Sequence, residues 1–424
     1  MLLQTNNRRD GTVVVVVAVA LIAILGVVAL SLDGGMLMDK RRQVQCTADA
    51  AALAAADDIY LNWWQYKGTS DPTGSGQDAA RAVAAANGYV HGQNGCTVTV
   101  NIPPLTGPFA GRAGHAEVII NTKQPRYFSR LFGTDDVPYG ARAVARSLRG
   151  EIKAGIIILD PVGAPSLSAG GNGTVSVTGA PVIVNSGAVG AISPNGGGSL
   201  SAPEWDTKGT VIASGGAVIN GPFVPTDPVP DPLANLPPPD PSTMTIQSKN
   251  KTSLSGNGTK TVTLQPGVYV GGISITGQVN VILAPGIYYM QGGGFSWGGS
   301  GNLTGTGVMI YNAPQSTSDV INLTGNGNCV MSPPLTGPYQ GMTLFQDRTS
   351  TTPMNVAGSG SGTMTMSGTF YCAGANLKVT GNGTTDVIGS QYISYDLTVG
   401  GNGTFRVDWT PDLTPGTRDI LLVE

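Results

Sequence analysis

The stretch LQPGVYVGGISITGQVNVILAPGIYYM, residues 264–290, contains one short pattern twice. LQPGVY at 264–269 returns as LAPGIY at 283–288, 19 residues later. A period near 20 with short β-type runs between turns is typical of a solenoid, whose coils bury their apolar faces by stacking on one another. The repeat therefore predicts an all-β, right-handed parallel β-helix (β-solenoid), which we place at residues 151–424.

Asn-Gly turns recur on both sides of this stretch. Copies of GNGT begin at Gly171, Gly256, Gly381 and Gly401, and a GNGN copy begins at Gly325. Asn and Gly tolerate the positive φ angles that tight corners require, so these copies predict the corners of the coils. A Greek-key sandwich is the alternative fold, but its turns every 8–12 residues would be spaced more closely than these.

A proline-rich segment interrupts the repeats. PFVPTDPVPDPLANLPPPDP, residues 222–241, holds nine prolines, which cannot donate ladder hydrogen bonds. Such a chain adopts an extended polyproline conformation, and a mobile linker is one interpretation. Because repeat-like strands lie on both sides, we predict that residues 222–242 form a loop that leaves the solenoid and rejoins it.

The N-terminal region contains an uncharged run of 21 residues, Thr12–Leu32. As a helix it would span roughly 30 Å, the thickness of the hydrocarbon core of a bilayer. A buried helix and a cleaved signal peptide are the alternatives, although a signal peptide has a shorter apolar region of about 7–15 residues. We expect a retained transmembrane helix at 12–32 and a cytoplasmic tail at 1–11. The rest of the chain would then be periplasmic or exposed at the cell surface.

Residues 33–150 predict a small α+β stalk domain. An Ala-rich run at 48–56 predicts that the membrane helix continues to about Tyr60, and DAARAVAAAN at 78–87 predicts a second helix. The runs TVTV at 97–100 and AEVIINT at 116–122 alternate like half-buried strands.

Composition offers little material for chemistry. The net charge of −3 gives no electrostatic case for binding nucleic acid. The two histidines, His91 and His115, lie in Gly-rich loops far apart in sequence. We predict no catalytic residue, no metal site and no cofactor, and therefore that the protein is not an enzyme.

Enzymes built on β-helices need clustered acids, a base or bound calcium. From residue 260 to the C-terminal strand, the acids are Asp319, Asp347, Asp386 and Asp396, which occur singly, although stacking could bring Asp386 and Asp396 together. We interpret Asp347-Arg348 as an ion pair at a corner.

Three aromatic residues make glycan binding a second hypothesis. Trp205, Trp297 and Tyr339 could stack on sugar rings if they were exposed. Coil ends or core positions are the alternative interpretation for such aromatics.

The four cysteines form two pairs along the chain. Cys46 and Cys96 fall in the stalk, and Cys329 and Cys372 fall in the β-helix. An even number in an extracytoplasmic chain permits disulfides within each domain, with free buried thiols as the alternative. A two-coil separation would place the Cα atoms of Cys329 and Cys372 near 10 Å apart, beyond the roughly 7 Å limit for a bridge, so the Cys46–Cys96 pairing is the better supported.

The N-terminal region resembles the Tad-like module of TadE/TadG-like proteins, which are associated with bacterial tight-adherence pilus assembly. The residues that carry the resemblance are Arg8-Arg9, Asp33-Gly34-Gly35, Arg41-Arg42, Gln43, Gln45 and the run from Ala48 to Ala56, and it extends to about Arg149 through the runs at 127–133 and 141–145. The repeats also resemble a β-helix domain found after such modules, through LDP at 159–161, the GNGT copies, PGIYY at 285–289 and GPYQGMTLFQDR at 337–348.

The resemblance implies a bacterial envelope protein with a structural role. We expect an assembly component, pilin-like subunit or adhesin of the tight-adherence system. It would contact the membrane or a filament core through Thr12–Leu32, and other pilus-assembly subunits or copies of itself. The alternative is a membrane-tethered β-helix that binds carbohydrate or, less in keeping with the scattered acids, degrades it.

Overall fold

The structure is a computed structural model that describes residues 10–63, 68–258, 260–358, 361–381 and 386–424. The first nine residues of the predicted cytoplasmic tail and the predicted turn at Asn382-Gly383 lie outside these residues. The chain forms two compact units, one of residues 1–149 with 418–424 and one of residues 150–417. We call them the first unit and the β-helix unit.

Two helices dominate the first unit. Helix α1 covers Asp10–Leu61 without a break, and helix α2 covers Ser75–Ala86. Helix α2 is followed by Gly88 at φ 89°, a conformation that commonly ends helices. The buried alanines of both helices form one core with the sheet because their small side chains allow close packing.

The sheet of the first unit has the order β1-β2-β3-β32. Its strands are β1 (Thr97–Asn101), β2 (His115–Gln124), β3 (Val137–Glu151) and β32 (Gly416–Leu422). Strands β1, β2 and β3 are antiparallel neighbours, with Val98 opposite Ile120 and Ile120 opposite Ala141. A short 3-10 helix, Ser129–Phe132, lies between β2 and β3. The C-terminal strand thus returns to the first unit, which differs from the predicted β-helix region of 151–424.

The β-helix unit contains the remaining strands, and the predicted parallel β-helix is confirmed. The strands before the proline-rich segment are β4 (Ile156–Ile158), β5 (Leu167–Ala169), β6 (Thr174–Thr178), β7 (Val182–Val184), β8 (Ile192–Pro194), β9 (Ser199–Ser201), β10 (Trp205–Thr207), β11 (Val218–Asn220) and β12 (Phe223–Val224). Those after it are β13 (Ile246–Ser248), β14 (Thr252–Leu254), β15 (Thr261–Leu264), β16 (Gly267–Val270), β17 (Ile273–Ile275), β18 (Asn280–Leu283), β19 (Gly286–Gln291), β20 (Phe295–Trp297), β21 (Leu303–Gly305), β22 (Val308–Ala313), β23 (Ile321–Leu323), β24 (Cys329–Met331), β25 (Met342–Gln346), β26 (Met354–Ala357), β27 (Met364–Met366), β28 (Thr369–Gly381), β29 (Asp386–Ile388), β30 (Gln391–Gly401) and β31 (Thr404–Asp408).

A complete coil contributes one strand to each of three parallel faces. The first face has the order β12-β10-β7-β4-β30-β28-β25-β22-β19-β16-β13. The second face has the order β8-β5-β30-β28-β26-β23-β20-β17-β14, where the long strands β28 and β30 continue from the first face. The third face has the order β11-β9-β6-β31-β29-β27-β24-β21-β18-β15. Side chains that alternate inward from all three faces fill one continuous core.

The order of coils in space is not their order in sequence. Strand β4 pairs with β30, with Ile157 opposite Ile393, and β6 pairs with β31, with Val175 opposite Phe405. The coils of residues 156–224 therefore stack onto the last coil of the chain. The coils of residues 246–408 continue the stack on the other side of that junction.

Corners of the solenoid use Gly and Asn in different ways. Gly171 has φ 97°, and a Cβ there would lie 2.2 Å from the Gly401 carbonyl oxygen, so this corner requires glycine on two counts. Among the described residues, Asn94 is the non-glycine residue with positive φ. The described corner asparagines therefore do not adopt the left-handed conformation that was predicted for them. The Oδ1 of Asn172 accepts a hydrogen bond from the Gly197 amide in the next coil at 3.0 Å.

Candidate functional surfaces

The apolar half of α1 is a largely exposed surface in the described residues. Its side chains from Val13 to Leu32 are mostly exposed, and this is a helix long and apolar enough to cross a membrane by length and composition. The first buried residue of the helix is Val44. One continuous helix therefore presents an exposed apolar half followed by a half that packs in the first unit.

A loop is fixed to α1 at the end of the apolar half. The Asp33 carboxylate accepts hydrogen bonds from the Phe128 amide at 3.1 Å, the Ser129 amide at 2.8 Å and the Ser129 hydroxyl at 2.5 Å. Asp33 thereby caps the 3-10 helix Ser129–Phe132. Sequence reasoning used Asp33 as part of a family pattern and assigned it no contact.

A buried carboxylate organises the other end of the first unit. Glu117 is fully buried and accepts hydrogen bonds from Asn101 at 2.7 Å, Arg142 at 2.6 Å and the hydroxyl of Thr106. Arg142 also pairs with Glu424 at 2.7 Å. Burial by itself raises the pKa of Glu117, but these hydrogen bonds outweigh burial and lower the pKa to about 2.

The outer side of the first face carries an apolar ladder rather than a solvated surface. Its successive residues belong to neighbouring strands and are Tyr289, Tyr311, Phe345, Tyr371, Ile393, Ile157 and Ile183. The ring centroids of Tyr311 and Phe345 lie 5.0 Å apart, and those of Phe345 and Tyr371 lie 5.1 Å apart. Because most of these side chains are buried, something must cover them.

The proline-rich segment covers this ladder, and we call residues 222–242 the strap. Tyr371 donates a hydrogen bond to Asp231 of the strap at 2.5 Å. Arg348 donates to the Tyr371 hydroxyl at 2.8 Å and to the carbonyl oxygens of Leu233 and Leu236. The Leu233 side chain is buried among the outer aromatics.

Two further contacts hold the strap along the face. Asn185 donates to the Val229 carbonyl at 2.8 Å and accepts from the Val229 amide at 2.9 Å. The Tyr339 hydroxyl donates to the Pro237 carbonyl at 3.1 Å. The strap begins with β12 and leads to β13 at the opposite end of the first face, so it is a docked return segment rather than a mobile linker.

The second and third faces carry small polar or β-branched side chains on their outer sides. The outward residues of the second face are Ser253, Ser274, Ser296, Asn322, Asn355, Lys378, Thr398, Ser168 and Ser193. Those of the third face include Ile282, Thr304, Val330, Thr365 and Val387. Both rows consist almost entirely of uncharged side chains.

The acids of the β-helix unit do not form the pairs considered from sequence. Asp386 lies on the third face, whereas Asp396 lies where β30 passes between the first and second faces. Arg348 lies 3.9 Å from Asp231 and donates to the strap, so its side chain is directed to the strap as well as lying next to Asp347 in sequence. Asp347 instead accepts hydrogen bonds from Thr349 and Tyr311.

A different acid pair was missed because its members are far apart in sequence. Burial, and then the neighbouring Asp160 carboxyl, raise the pKa of Asp396 to about 6. A carboxylic acid with this pKa is partly protonated near neutral pH. Their strands become neighbours only because the first and last coils of the chain stack together.

Both histidines make contacts within the first unit. His91 accepts a hydrogen bond from the Val98 amide at 3.0 Å, and His115 is buried and stacks on Phe109. Across the described ranges of the chain, no group of three or more His, Cys, Asp or Glu could hold a metal ion.

The three aromatics considered for glycan stacking are buried. Trp297 is 0%, Trp205 2% and Tyr339 8% exposed, so they offer no stacking surface, and Trp205 and Trp297 occupy the core positions given as the alternative interpretation. Trp297 follows the inward residue Phe295 by two positions, and Trp205 fills the core of a terminal coil. Tyr339 helps to hold the strap.

Neither predicted disulfide is formed in the structure, in which all four cysteines are free. Cys46 is exposed on α1, whereas Cys96 is buried in the core of the first unit. Cys329 lies on the third face and Cys372 on the first, both inside the solenoid core. Burial raises the pKa of the Cys329 thiol to about 12, which keeps it protonated.

The comparison with protein families concerns the N-terminal helix. Residues 11–58 match the family of putative Flp pilus-assembly TadE/G-like proteins. The match covers most of α1, including both the exposed apolar half and the buried Ala-rich half. No curated protein and no solved structure matches the chain.

Proposed function

We propose that this protein is a structural component of the bacterial envelope, anchored by α1 and associated with a tight-adherence pilus apparatus. The observation that carries the proposal is the TadE/G-like match on α1, a single helix whose apolar half is exposed. In this role the β-helix unit is displayed outside the cytoplasm, and no catalytic step is required of it.

The shape of α1 supports an anchoring role. Twenty residues from Val13 to Leu32 extend about 30 Å, enough to cross the hydrocarbon core or to enter a filament core of similar polarity. The remaining half of the helix packs in the first unit, so the anchor continues directly into folded protein.

The β-helix unit supplies uncharged surfaces for contacts with neighbouring subunits or with the substratum. Its first face is occupied by the strap, and the second and third faces are left for partners. The alternative of carbohydrate binding no longer has aromatic platforms at Trp205, Trp297 and Tyr339, because all three are buried.

The test of this proposal separates anchoring from assembly. Ile22→Arg places a charge in the middle of the exposed apolar half, and we expect it to release the protein from carbonate-washed membranes. Leu105→Arg, at a side chain that is 71% exposed outside this half, is the matched control and should stay in the membrane fraction.

An in-frame deletion of the coding sequence tests the association with pili. We expect loss or shortening of sheared surface filaments, with recovery by the wild-type chain and not by Ile22→Arg. Normal filaments in the deletion strain would contradict the assembly role even if α1 is a membrane anchor.

A further inference from the structure

Two exposed aromatic side chains lie beside the end of the apolar half of α1. Tyr127 is 54% and Phe128 is 56% exposed, although the Phe128 amide, the Ser129 amide and the Ser129 hydroxyl all donate hydrogen bonds to Asp33. Asp33 is the residue that directly follows Leu32. The loop is therefore held within one helical turn of the end of the apolar surface.

The thickness of a bilayer sets the depth of this loop. The hydrocarbon core is about 30 Å thick and the headgroup layers bring the total to about 40–45 Å, so each headgroup layer corresponds to roughly four residues of helix. If Val13–Leu32 cross the core, Asp33 and the loop bonded to it lie in the adjoining headgroup layer. Tyr and Trp are enriched in this layer because their rings are apolar and their polar groups can be hydrated.

We propose that Tyr127 and Phe128 form a second membrane contact, inserting into the interfacial layer of the phospholipid bilayer that α1 crosses. This inference rests on the proposed anchoring role of α1. The contact would fix the rotation and tilt of α1 about the membrane normal, because a single helix alone leaves both free.

The charges around the loop favour ordinary phospholipid rather than a strictly anionic surface. Arg126 donates to the Asp135 carbonyl at 3.1 Å, and Arg130 is exposed. Asp136 pairs with Lys123 at 3.0 Å. Since acids and bases are nearly balanced, zwitterionic phosphatidylcholine is a sufficient probe.

The experiment uses the full chain reconstituted in phosphatidylcholine vesicles, with and without lipids brominated on the acyl chains near the headgroup. Phe128→Trp adds an indole at the proposed contact. Leu105→Trp is the matched control, because contacts place Leu105 near Gln45 of α1 and away from the apolar half. The backbone oxygen of its neighbour Thr106 accepts a hydrogen bond from Arg142, and the Arg142 carbonyl accepts one from Gln45. Gln45 lies 12 residues beyond Asp33, about 18 Å farther along the helix.

We expect brominated lipid to remove roughly half of the emission added by Phe128→Trp and almost none of that added by Leu105→Trp. Adding Asp33→Ala to Phe128→Trp should reduce the quenching, because the loop is no longer held to the helix. Equal melting temperatures of the single variants show that both are folded.

Three outcomes would overturn the inference. Vesicles that float with the protein but show no quenching at position 128 would leave α1 as an anchor and exclude the aromatic contact. A photo-crosslinking residue at position 128 that captures a second copy rather than lipid would make this loop a subunit interface. Failure of the protein to float would contradict the anchoring role, and the second contact would fall with it.

Discussion

Glu117 and Asp396 are carboxyl groups whose pKa values shift in opposite directions, although burial by itself raises both. Glu117 is surrounded by hydrogen-bond donors and by Arg142, so its charged form is stabilised and its pKa falls to about 2. For Asp396, burial and then the neighbouring Asp160 carboxyl favour the neutral form, so its pKa rises to about 6. The two residues should therefore have opposite effects on stability as the pH changes.

The first prediction is that Glu117→Gln destabilises the first unit by about 2–4 kcal/mol at neutral pH, because Arg142 loses a buried partner. In the unsubstituted protein the contribution of Glu117 is present above its unfolded pKa of about 4.5 and is lost as the pH falls towards 2. Hydrogen exchange of the β2 amides measures both effects. Asp78→Asn, at an exposed acid of α2, should change exchange little; equal effects of the two substitutions would contradict the role of Glu117.

The second prediction is that Asp396→Asn stabilises the β-helix unit at pH 8, by about 1–2 kcal/mol. The pKa of Asp396 is raised above the ordinary 3.8, so its charged form costs stability above about pH 6. This cost disappears as the pH falls towards 4, and an amide can still donate to Asp160. Thermal unfolding at pH 8 and pH 4 should show the gain at pH 8 alone. A gain of the same size at both pH values would mean that charge is not the cause.

At the residue scale, the alternation of inward and outward side chains along a strand indicated burial better than residue type did. Phe295 and Trp297 flank Ser296 in an inward-outward-inward pattern, which could have predicted that Trp297 is buried. Nothing local marks Glu117, because its partners Thr106 and Arg142 come from a loop and from another strand. The acid pair of Asp160 and Asp396 depends on a contact between residues 236 positions apart, which no local pattern indicates.

At the scale of elements, the strap is held on the β-helix unit by specific polar contacts. Its backbone turns at residues 232–235, where the Leu233 carbonyl accepts from the Leu236 amide at 2.9 Å, and the carbonyl oxygens of Leu233 and Leu236 both accept from Arg348. Twenty residues of polyproline chain reach about 60 Å, and ten steps between neighbouring strands cover about 48 Å. The length of the strap is therefore sufficient to return the chain along the whole first face.

The third prediction is that Tyr371→Phe loosens the strap without unfolding the solenoid. The substitution removes the hydroxyl that donates to Asp231 and accepts from Arg348, and we expect a cost of about 1–3 kcal/mol. Limited proteolysis within residues 222–242 should become faster, while exchange in the third face is unchanged. Lys378→Ala, on the exposed side of the second face, is the control. Unchanged cleavage in Tyr371→Phe would show that the polar contacts do not hold the strap.

The extent of a long helix was predicted better than the side-chain contacts between elements. The continuation of the apolar run into the Ala-rich helix follows from helix propensity and hydrophobicity, both of which are local, and α1 does run from Asp10 to Leu61. The predicted Cys46–Cys96 and Cys329–Cys372 pairings required side-chain directions that spacing does not provide. Whether either pair can oxidise stays a prediction, which the masses of peptides from a non-reduced digest would test.

At the scale of the whole molecule, the repeat predicted coils but not the order in which they stack. A period near 20 indicates that each coil needs a neighbour, and the nearest coil in sequence is the default choice. Here the coil that begins at Ile156 has the last coil as one neighbour, because the strap carries the chain from one end of the stack to the other. The docking of the strap on the outer aromatics makes this arrangement possible and leaves no signature in the repeat itself.

The fourth prediction concerns the junction between these coils. Phe405 is fully buried and lies opposite Val175 and Asp386, so Phe405→Ala should cost about 3–5 kcal/mol. We expect faster hydrogen exchange on both sides of the junction, in residues 167–178 and 386–408. Phe295→Ala removes an equally buried ring farther along the stack and should affect its own neighbouring coils. If Phe405→Ala increased hydrogen exchange in residues 386–408 alone, the coils on the two sides of the junction would not be coupled through Phe405.

The junction also determines what happens while the chain is being made. Strands β4, β5 and β6 emerge early, but their partners β30 and β31 follow on the order of 200 residues later, which is roughly 10–40 s at ordinary rates of translation. During that interval the open edge of the early coils is a template for strands of other chains. We therefore expect a chaperone to bind this edge during synthesis. Without one, folded protein should form slowly, and its yield should fall as the protein concentration rises.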